Sequence, residues 1–334
     1  MGGLAFKKIG IESKRIGAED YIAFDIVNRI ILERFFNKIH TIQAYHQKED
    51  FGDSDILVAG PKIQLTPEVM LRQIPDALKA ESVIQNSSIY SYLINGFQLD
   101  LILANRNEFD SSKFYYDYDP SGNLAGKIAH RFGLRFGHDG LSYILRDKDN
   151  TYKLGKVPIS SDPERICNFL GFNYEVRRKG FDAQEEIFDW IINSRHFDAR
   201  IFSFENMNHI ARTRDRKRKS YQQFLEYIQP HKDKIYDWPL HKEDNLPLIA
   251  AAFPEANLIE TIAELKEKRA KVCELAKKFN GELVMSWCPG LAGKQLGNVL
   301  GAYKATKDWP SFLENTSADE IKIDFLHFCD NNKV

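Results

Sequence analysis

The chain has 334 residues, 43% hydrophobic and 28% charged, the balance of a soluble globular protein long enough for two ordinary domains or three small ones. No run approaches the roughly 18 apolar residues that span a bilayer, and the apolar stretch in Met1–Lys8 is too short for a secretory signal, so a cytoplasmic or nuclear location and no membrane partner are expected. The net charge of −1, from 46 basic and 47 acidic side chains, leaves a nucleic-acid partner open, because only the local distribution of charge matters there.

In chain order, the periodicity predicts an amphipathic helix over Ala18–Ile39, with Ile22, Ile26, Val27, Ile30, Ile31, Phe35 and Ile39 near helical spacing. Two short β-type runs follow, Thr41–Tyr45 and Ile56–Val58, around a charged loop. Ser88–Ile94 and Phe97–Leu103 are strand-like and joined by Asn95-Gly96, a strong hairpin signal. Beyond Asp117, Leu124–Phe136 reads as a helix with a basic face, Leu141–Arg146 as a strand, and Asp149-Asn150 as a turn into Tyr152–Ile159. Ser161-Asp162-Pro163-Glu164 opens a helix, with Ser161 as N-cap and Glu164 closing a capping box. The last third reads as mostly helical, broken at Pro230, Pro239, Pro247, Pro254 and Pro289-Gly290. Three domains are expected, over 1–115, 116–178 and 179–334. Cys167, Cys273, Cys288 and Cys329 lie far apart with no C-x-x-C pair, and are read as reduced thiols rather than a zinc or disulfide framework.

The chemistry concentrates in Glu49-Asp50-Phe51-Gly52-Asp53-Ser54-Asp55-Ile56-Leu57-Val58. Alternate residues of a strand share a face, so Asp53 and Asp55 project together. Carboxylates held that close repel each other unless a cation lies between them. Magnesium suits such a site, since it takes hard oxygen ligands and shares its shell with substrate phosphates. Asp100 lies inside the apolar run Phe97–Leu103, where an aspartate is costly unless paired or metal-bound. Three acids on neighbouring strands are what two-metal phosphoryl transfer needs. The alternative is a plain acidic loop at a solvated surface.

Gly52-Asp53-Ser54-Asp55-Ile56-Leu57-Val58 resembles the G-D-x-D-h-h-h strand of the nucleotidyltransferases related to DNA polymerase β, the family X polymerases. Asp100 fits that family's third metal-binding aspartate. Tyr118-Asp119-Pro120-Ser121-Gly122 looks like its Y-F-x-G-S turn, where an incoming nucleotide stacks. Leu134-Arg135-Phe136-Gly137 with Tyr143, and Val157–Ile166 ending in Phe169-Leu170-Gly171, resemble segments of its thumb, so the likeness runs in order over about residues 40–175. The resemblance implies an α/β (α+β) fold: a mixed, mainly antiparallel palm sheet with helices on one side, a small thumb and a helical C-terminal domain. It also implies two Mg²⁺ ions, with Mn²⁺ as a substitute, and an NTP or dNTP substrate. Asp53 and Asp55 would hold both ions, while Asp100 would ligate one and orient the nucleophile. Gly52, Ser54, His46, Lys48, Tyr118, His130 and Arg131 are the nucleotide-pocket candidates. The family's Gly-Ser phosphate loop has no counterpart in Gln43–Lys48, where His46 and Lys48 are the only cations; Gly2-Gly3 is a glycine pair able to approach the site, with a frayed terminus as the alternative. Lys278–Gly281 and Gly290–Gly297, with Lys294, look like a helix start in some transfer-RNA nucleotidyltransferases; the alternative is a tight turn that lets two helices pack closely.

Arg212-Thr213-Arg214-Asp215-Arg216-Lys217-Arg218-Lys219 puts six cations into eight positions of a neutral chain, which points to a phosphate backbone. One helix from Met207 to Ile228 would carry them, with Tyr221 and His209 near enough to stack on bases. A solvated face and a nuclear-import signal are the alternatives. The expected reaction is transfer of a nucleoside monophosphate from an NTP to a nucleic-acid 3′ hydroxyl, with RNA, tRNA included, ahead of DNA. Nucleotidylation of a protein or small molecule, and a retired polymerase scaffold that only binds, remain alternatives. The oligomeric state is not legible.

Overall fold

The computed structural model describes residues 3–147 and 152–332. The turn expected at Asp149-Asn150 and the glycine at position 2 lie outside the described residues.

The fold is mixed α/β, as expected. In chain order come β1 (Ile16–Gly17), α1 (Ala18–Leu32), β2 (Phe36–Thr41), β3 (Asp50–Phe51), β4 (Asp53–Pro61), α2 (Ile74–Leu78), β5 (Ser82–Asn86), β6 (Ile89–Ile94) and β7 (Phe97–Leu103). Next are α3 (Phe109–Tyr116), α4 (Ser121–Arg131), β8 (Leu134–Gly137), β9 (Gly140–Arg146), β10 (Lys153–Ser160), α5 (Pro163–Leu170), α6 (Tyr174–Lys179) and α7 (Gln184–Ile192). The rest is helical: α8 (His209–Asp215), α9 (Lys219–Tyr227), α10 (Leu246–Ala252), α11 (Leu258–Lys278), α12 (Gly281–Trp287), α13 (Gly293–Ala305), α14 (Trp309–Asn315) and α15 (Ala318–Asn331). Among the described residues no single helix is long and apolar enough to cross a membrane.

The chain forms two compact units, Met1–Ile144 with Lys156–Leu258, and Leu145–Gly155 with Ile259–Val334. The contacts thus divide the chain near 258, not near 115 and 178. The second unit packs Phe279, Val284, Tyr303, Ile321 and Phe325 into its own core.

The first unit is built on a five-stranded sheet in the order β2-β4-β7-β6-β5. Only β4 and β7 run parallel; their neighbours are antiparallel. The β6–β7 hairpin turns at Asn95 and Gly96, both at positive φ, which the type I′ geometry demands. One face of the sheet carries Ile56, Val58, Tyr92, Leu99 and Leu101, packed against Leu32 of α1 and Leu78 of α2. The other face carries Leu57, Ala59 and Ile102, covered by Phe109 of α3. Helices therefore flank both faces, where one had been expected.

Several expected elements are redrawn. The first helix stops at Leu32, and Ile39 belongs to β2. Its buried side is Phe24, Asn28, Ile31 and Leu32, while Ile22, Ile26, Val27 and Ile30 are 53% to 61% exposed. The apolar residues lie all round this helix, so their spacing did not identify the inward face. Residues 42–45 are not strand, α4 ends at Arg131, and Gly133 at φ +82° breaks it before β8. Asp162, not Ser161, caps α5: its Oδ1 accepts from the N–H groups of Glu164 and Arg165 at 2.9 and 3.1 Å. The basic run falls on two helices, α8 and α9, separated at Arg216–Arg218.

Candidate metal centre and its cleft

Strand alternation sends Asp53 and Asp55 to the face of the sheet shared by Leu57, at the end of β4 that α3 leaves open. The parallel register of β4 and β7 sets Asp55 directly beside Asp100 and Asp53 beside Gln98. One carboxylate oxygen from each of Asp53, Asp55 and Asp100 lies within 4.8 Å of the other two. The tertiary fold thus assembles the three acids that the sequence singled out.

Electrostatics mark the centre as short of positive charge. Burial, then the neighbouring Asp53 and Asp100 carboxylates, hold the Asp55 carboxyl well above the usual range. Burial pushes Asp100 up to about 6, and Asp53 adds to this, while hydrogen bonds from Ser91 and Gln98 pull it back. The Gln98 amide donates to both Asp100 oxygens at 2.9 Å. A divalent cation on these oxygens would relieve the repulsion, and all-carboxylate donors suit a hard ion such as Mg²⁺.

The segment before β1 supports the acids. The Gly3 N–H donates to Asp53 Oδ2 at 2.9 Å, and the Ala5 N–H donates to Gln98 Oε1 at 3.0 Å. Gly3 has φ +77°, and a Cβ there would lie 2.3 Å from the Gly52 carbonyl oxygen, so only glycine fits. The Ser13 hydroxyl holds the Gly3 carbonyl at 2.5 Å.

Asp53 and Asp55 open into a cleft of about 510 Å³. Its walls include Tyr21, Lys48, Asp119, Lys219 and Ser220. Tyr21 stacks on Phe51 at 3.8 Å between ring centroids, and the Lys48 ammonium sits 4.5 Å from the same Phe51 ring. Burial pulls the Lys48 ammonium below its ordinary value, with Asp53 opposing. Lys219, expected to bind nucleic acid, lines the same cleft as Asp53 and Asp55 and forms no ion pair among the described residues.

Other expected site residues lie elsewhere. Gly52 forms the bend before β4, its carbonyl against Gly3. Ser54 is fully buried on the opposite face of β4 and does not reach the cleft. His46 lies outside the cleft lining, its Nδ1 2.7 Å from Asp182. Tyr118 is 6% exposed, its hydroxyl donating to Gln43 Oε1 at 2.6 Å and its ring perpendicular to that of Phe181, so burial leaves no ring face open for a nucleotide. His130 and Arg131 line a different cavity of about 840 Å³, which shares no residue with the acid cleft.

Most of the basic run is engaged internally. Arg212 donates to the carbonyls of Phe204 and Met207 at 3.0 and 2.8 Å. Arg214 binds Asp215 and Asn123, Arg216 lies over the Phe204 ring, and Arg218 is 3.8 Å from Asp119. Lys217 is exposed. Lys294 lies in the first turn of α13 in the second unit, where a Cβ at Gly290 or Gly297 would meet nothing within 4 Å; those glycines do not serve close helix packing. Gly3, one of the glycines expected to be able to approach the site, does reach it, whereas Tyr21, Gln98, Asp119 and Ser220 were not singled out from the sequence. Gln98 alone had a local signal, two residues from Asp100 and so on its face of the strand. Neither a family model nor a curated protein matches the chain.

Proposed function

We propose that the chain is a metal-dependent nucleotidyltransferase with a polymerase β-like palm. The observation that carries this reading is the meeting of Asp53, Asp55 and Asp100, from two parallel strands, within 4.8 Å at the mouth of a cleft. In this reading Asp53 and Asp55 would hold two Mg²⁺ ions, and Asp100 would help hold one of them and orient the acceptor hydroxyl. The ions, when bound, lower the pKa of the hydroxyl and neutralise the triphosphate. Lys48 and Lys219 take the phosphate oxygens that a Gly-Ser loop holds elsewhere, and the half-buried Tyr21 ring, stacked on buried Phe51 in the cleft wall, offers a surface to the base. The acceptor oxygen bonds to the α-phosphorus, the bond to the β-phosphate oxygen breaks, and pyrophosphate leaves. A nucleic-acid 3′ hydroxyl is the acceptor that fits the family resemblance.

A second reading, nucleotidylation of a protein or small molecule, gains from one observation: Arg212, Arg214 and Arg218 are tied to partners within the chain. A retired scaffold is disfavoured, because three half-buried carboxylates crowded within 4.8 Å repel one another in a sheet that holds no metal.

The test is incubation with Mg²⁺, each α-labelled NTP and dNTP, and a panel of tRNA, single-stranded RNA and primed DNA. Label on a nucleic acid, lost with a chelator, supports the first reading. Label confined to added protein or small-molecule acceptors supports the second, and no transfer to any acceptor overturns both.

A further inference from the structure

The cavity of about 840 Å³ that holds His130 and Arg131 lies wholly within the first unit. One wall is a face of α4, where Asn123, Lys127 and Arg131 follow at four-residue spacing beside Gly122, Gly126 and His130. The facing wall brings Arg200, Arg214, Trp238 and Lys242. Five lysines and arginines thus face only two lining carboxylates, Asp198 and Asp237.

Some of that charge is already balanced. Arg200 is held by Asp198, while Lys127 and Arg214 share the buried Asp215. Arg131 and Lys242 form no ion pair among the described residues, and the Lys242 ammonium instead lies 3.2 Å from His130 Nε2. Burial, and Arg131 next, pull Lys242 below its ordinary value, with the neighbouring Glu243 opposing. Two donors of the lining residues, one from each wall, are also without an acceptor: Arg131 Nε and the Trp238 indole nitrogen are buried and unpartnered. The Arg131 guanidinium sits 5.6 Å from the Trp238 ring, and Tyr115 and Phe136 add further aromatic lining.

We infer that this cavity is a second binding site, taking a nucleotide phosphate on Arg131 and Lys242, distinct from the acid cleft. The oxyanion supplies the charge that this corner lacks. The volume exceeds what a bare phosphate fills, and the aromatic lining suits the base attached to it. That phosphate comes either from a nucleic-acid strand or from a free nucleotide, and competition separates the two.

The experiment uses the full chain in a chelator, which leaves the acid cleft unfavourable to anions, and reads fluorescence anisotropy of a labelled short oligouridylate. The Arg131→Gln, Lys242→Gln double variant is expected to bind about tenfold more weakly or worse, from the loss of two charge-assisted contacts. Displacement of the probe by ATP assigns the site to a free nucleotide; displacement by unlabelled strand but not ATP assigns it to a strand. Equal binding by variant and wild type, or no binding by wild type, overturns the inference. Should the variant fail to fold, lysine acylation of wild type decides. Protection of Lys242 and Lys127 by the oligonucleotide, with Lys294 unprotected, supports the site, and uniform reactivity overturns it. Neither assay depends on metal or on transfer activity, so its failure is separate from failure of the proposed reaction.

Discussion

The backbone N–H of Gly3 donates to Asp53 Oδ2 at 2.9 Å, fixing one carboxylate of the acid cluster from 50 residues away in sequence. Because the position has φ +77° and a Cβ would lie 2.3 Å from the Gly52 carbonyl oxygen, Gly3→Ala must shift this segment off the strand. Partners that orient metal ligands typically change affinity by about 10- to 100-fold when lost. Gly3→Ala is therefore expected to weaken Mn²⁺ binding by about tenfold or more with little change in circular dichroism. Unchanged affinity in a titration would show that Gly3 does not position Asp53.

Neutralising the crowded acid cluster should stabilise the metal-free protein. Asp55 is charged only against burial and two neighbouring carboxylates, so Asp55→Asn removes a repulsion. The expected gain is on the order of 1 kcal/mol, a few degrees in melting temperature. Added Mg²⁺ should raise the melting temperature of wild type and leave the variant unmoved. A thermal shift of equal size in both proteins would remove these carboxylates from metal binding.

Stability should also depend on His196, which is 7% exposed and ringed by Phe132, Tyr236 and Trp238. Its Nε2 accepts from Arg195 Nε at 3.2 Å, and Nδ1 has no partner, so the ring is held neutral. Burial, then Arg195, lowers its pKa from 6.5 to about 4. The unfolded chain therefore binds a proton that the folded one refuses between those values. The stability is fully present above about pH 6.5 and is lost as pH falls toward about 4, by up to about 3 kcal/mol. Denaturant unfolding of wild type and His196→Phe across that window checks this, and the variant's pH slope is expected to be shallower.

Arg177 is a further point of failure. Its buried guanidinium donates to Ser121 Oγ at 2.5 Å and to the carbonyls of Asp117 and Phe114, with Phe114 and Trp190 packed over it. Arg177→Ala strands those acceptors around a cavity and is expected to cost about 3–5 kcal/mol. Because the same contacts hold Asp117, two residues before Asp119 of the cleft wall, substrate affinity should fall even where the protein remains folded. A chevron analysis with a parallel KM measurement separates the two effects.

The acids were legible because strand alternation is local: Asp53 and Asp55 must share a face, and Asp100 stood out inside an apolar strand. The Asn95-Gly96 hairpin was legible for the same reason, since its turn chemistry is contained in two residues. What was lost depended on contacts distant in sequence. Gly3 reaches Asp53, Lys219 reaches the acid cleft, and Asp215 absorbs Arg214 and Lys127, none of which a local pattern records. Tyr118 matched a family motif, yet its ring is enclosed by Gln43 and Phe181. The charge run looked like a binding surface because a sequence counts cations without their partners.

Nucleotidyl transfer by Asp53, Asp55 and Asp100 is tested by comparing wild type with Asp55→Asn. Both proteins, at equal folded concentration, are given Mg²⁺, α-labelled nucleoside triphosphates and the best acceptor from the panel. Chelator-sensitive labelling of the acceptor is expected from wild type, and near-complete loss from Asp55→Asn with its fold intact by circular dichroism. Labelling at the wild-type rate by Asp55→Asn would contradict this assignment.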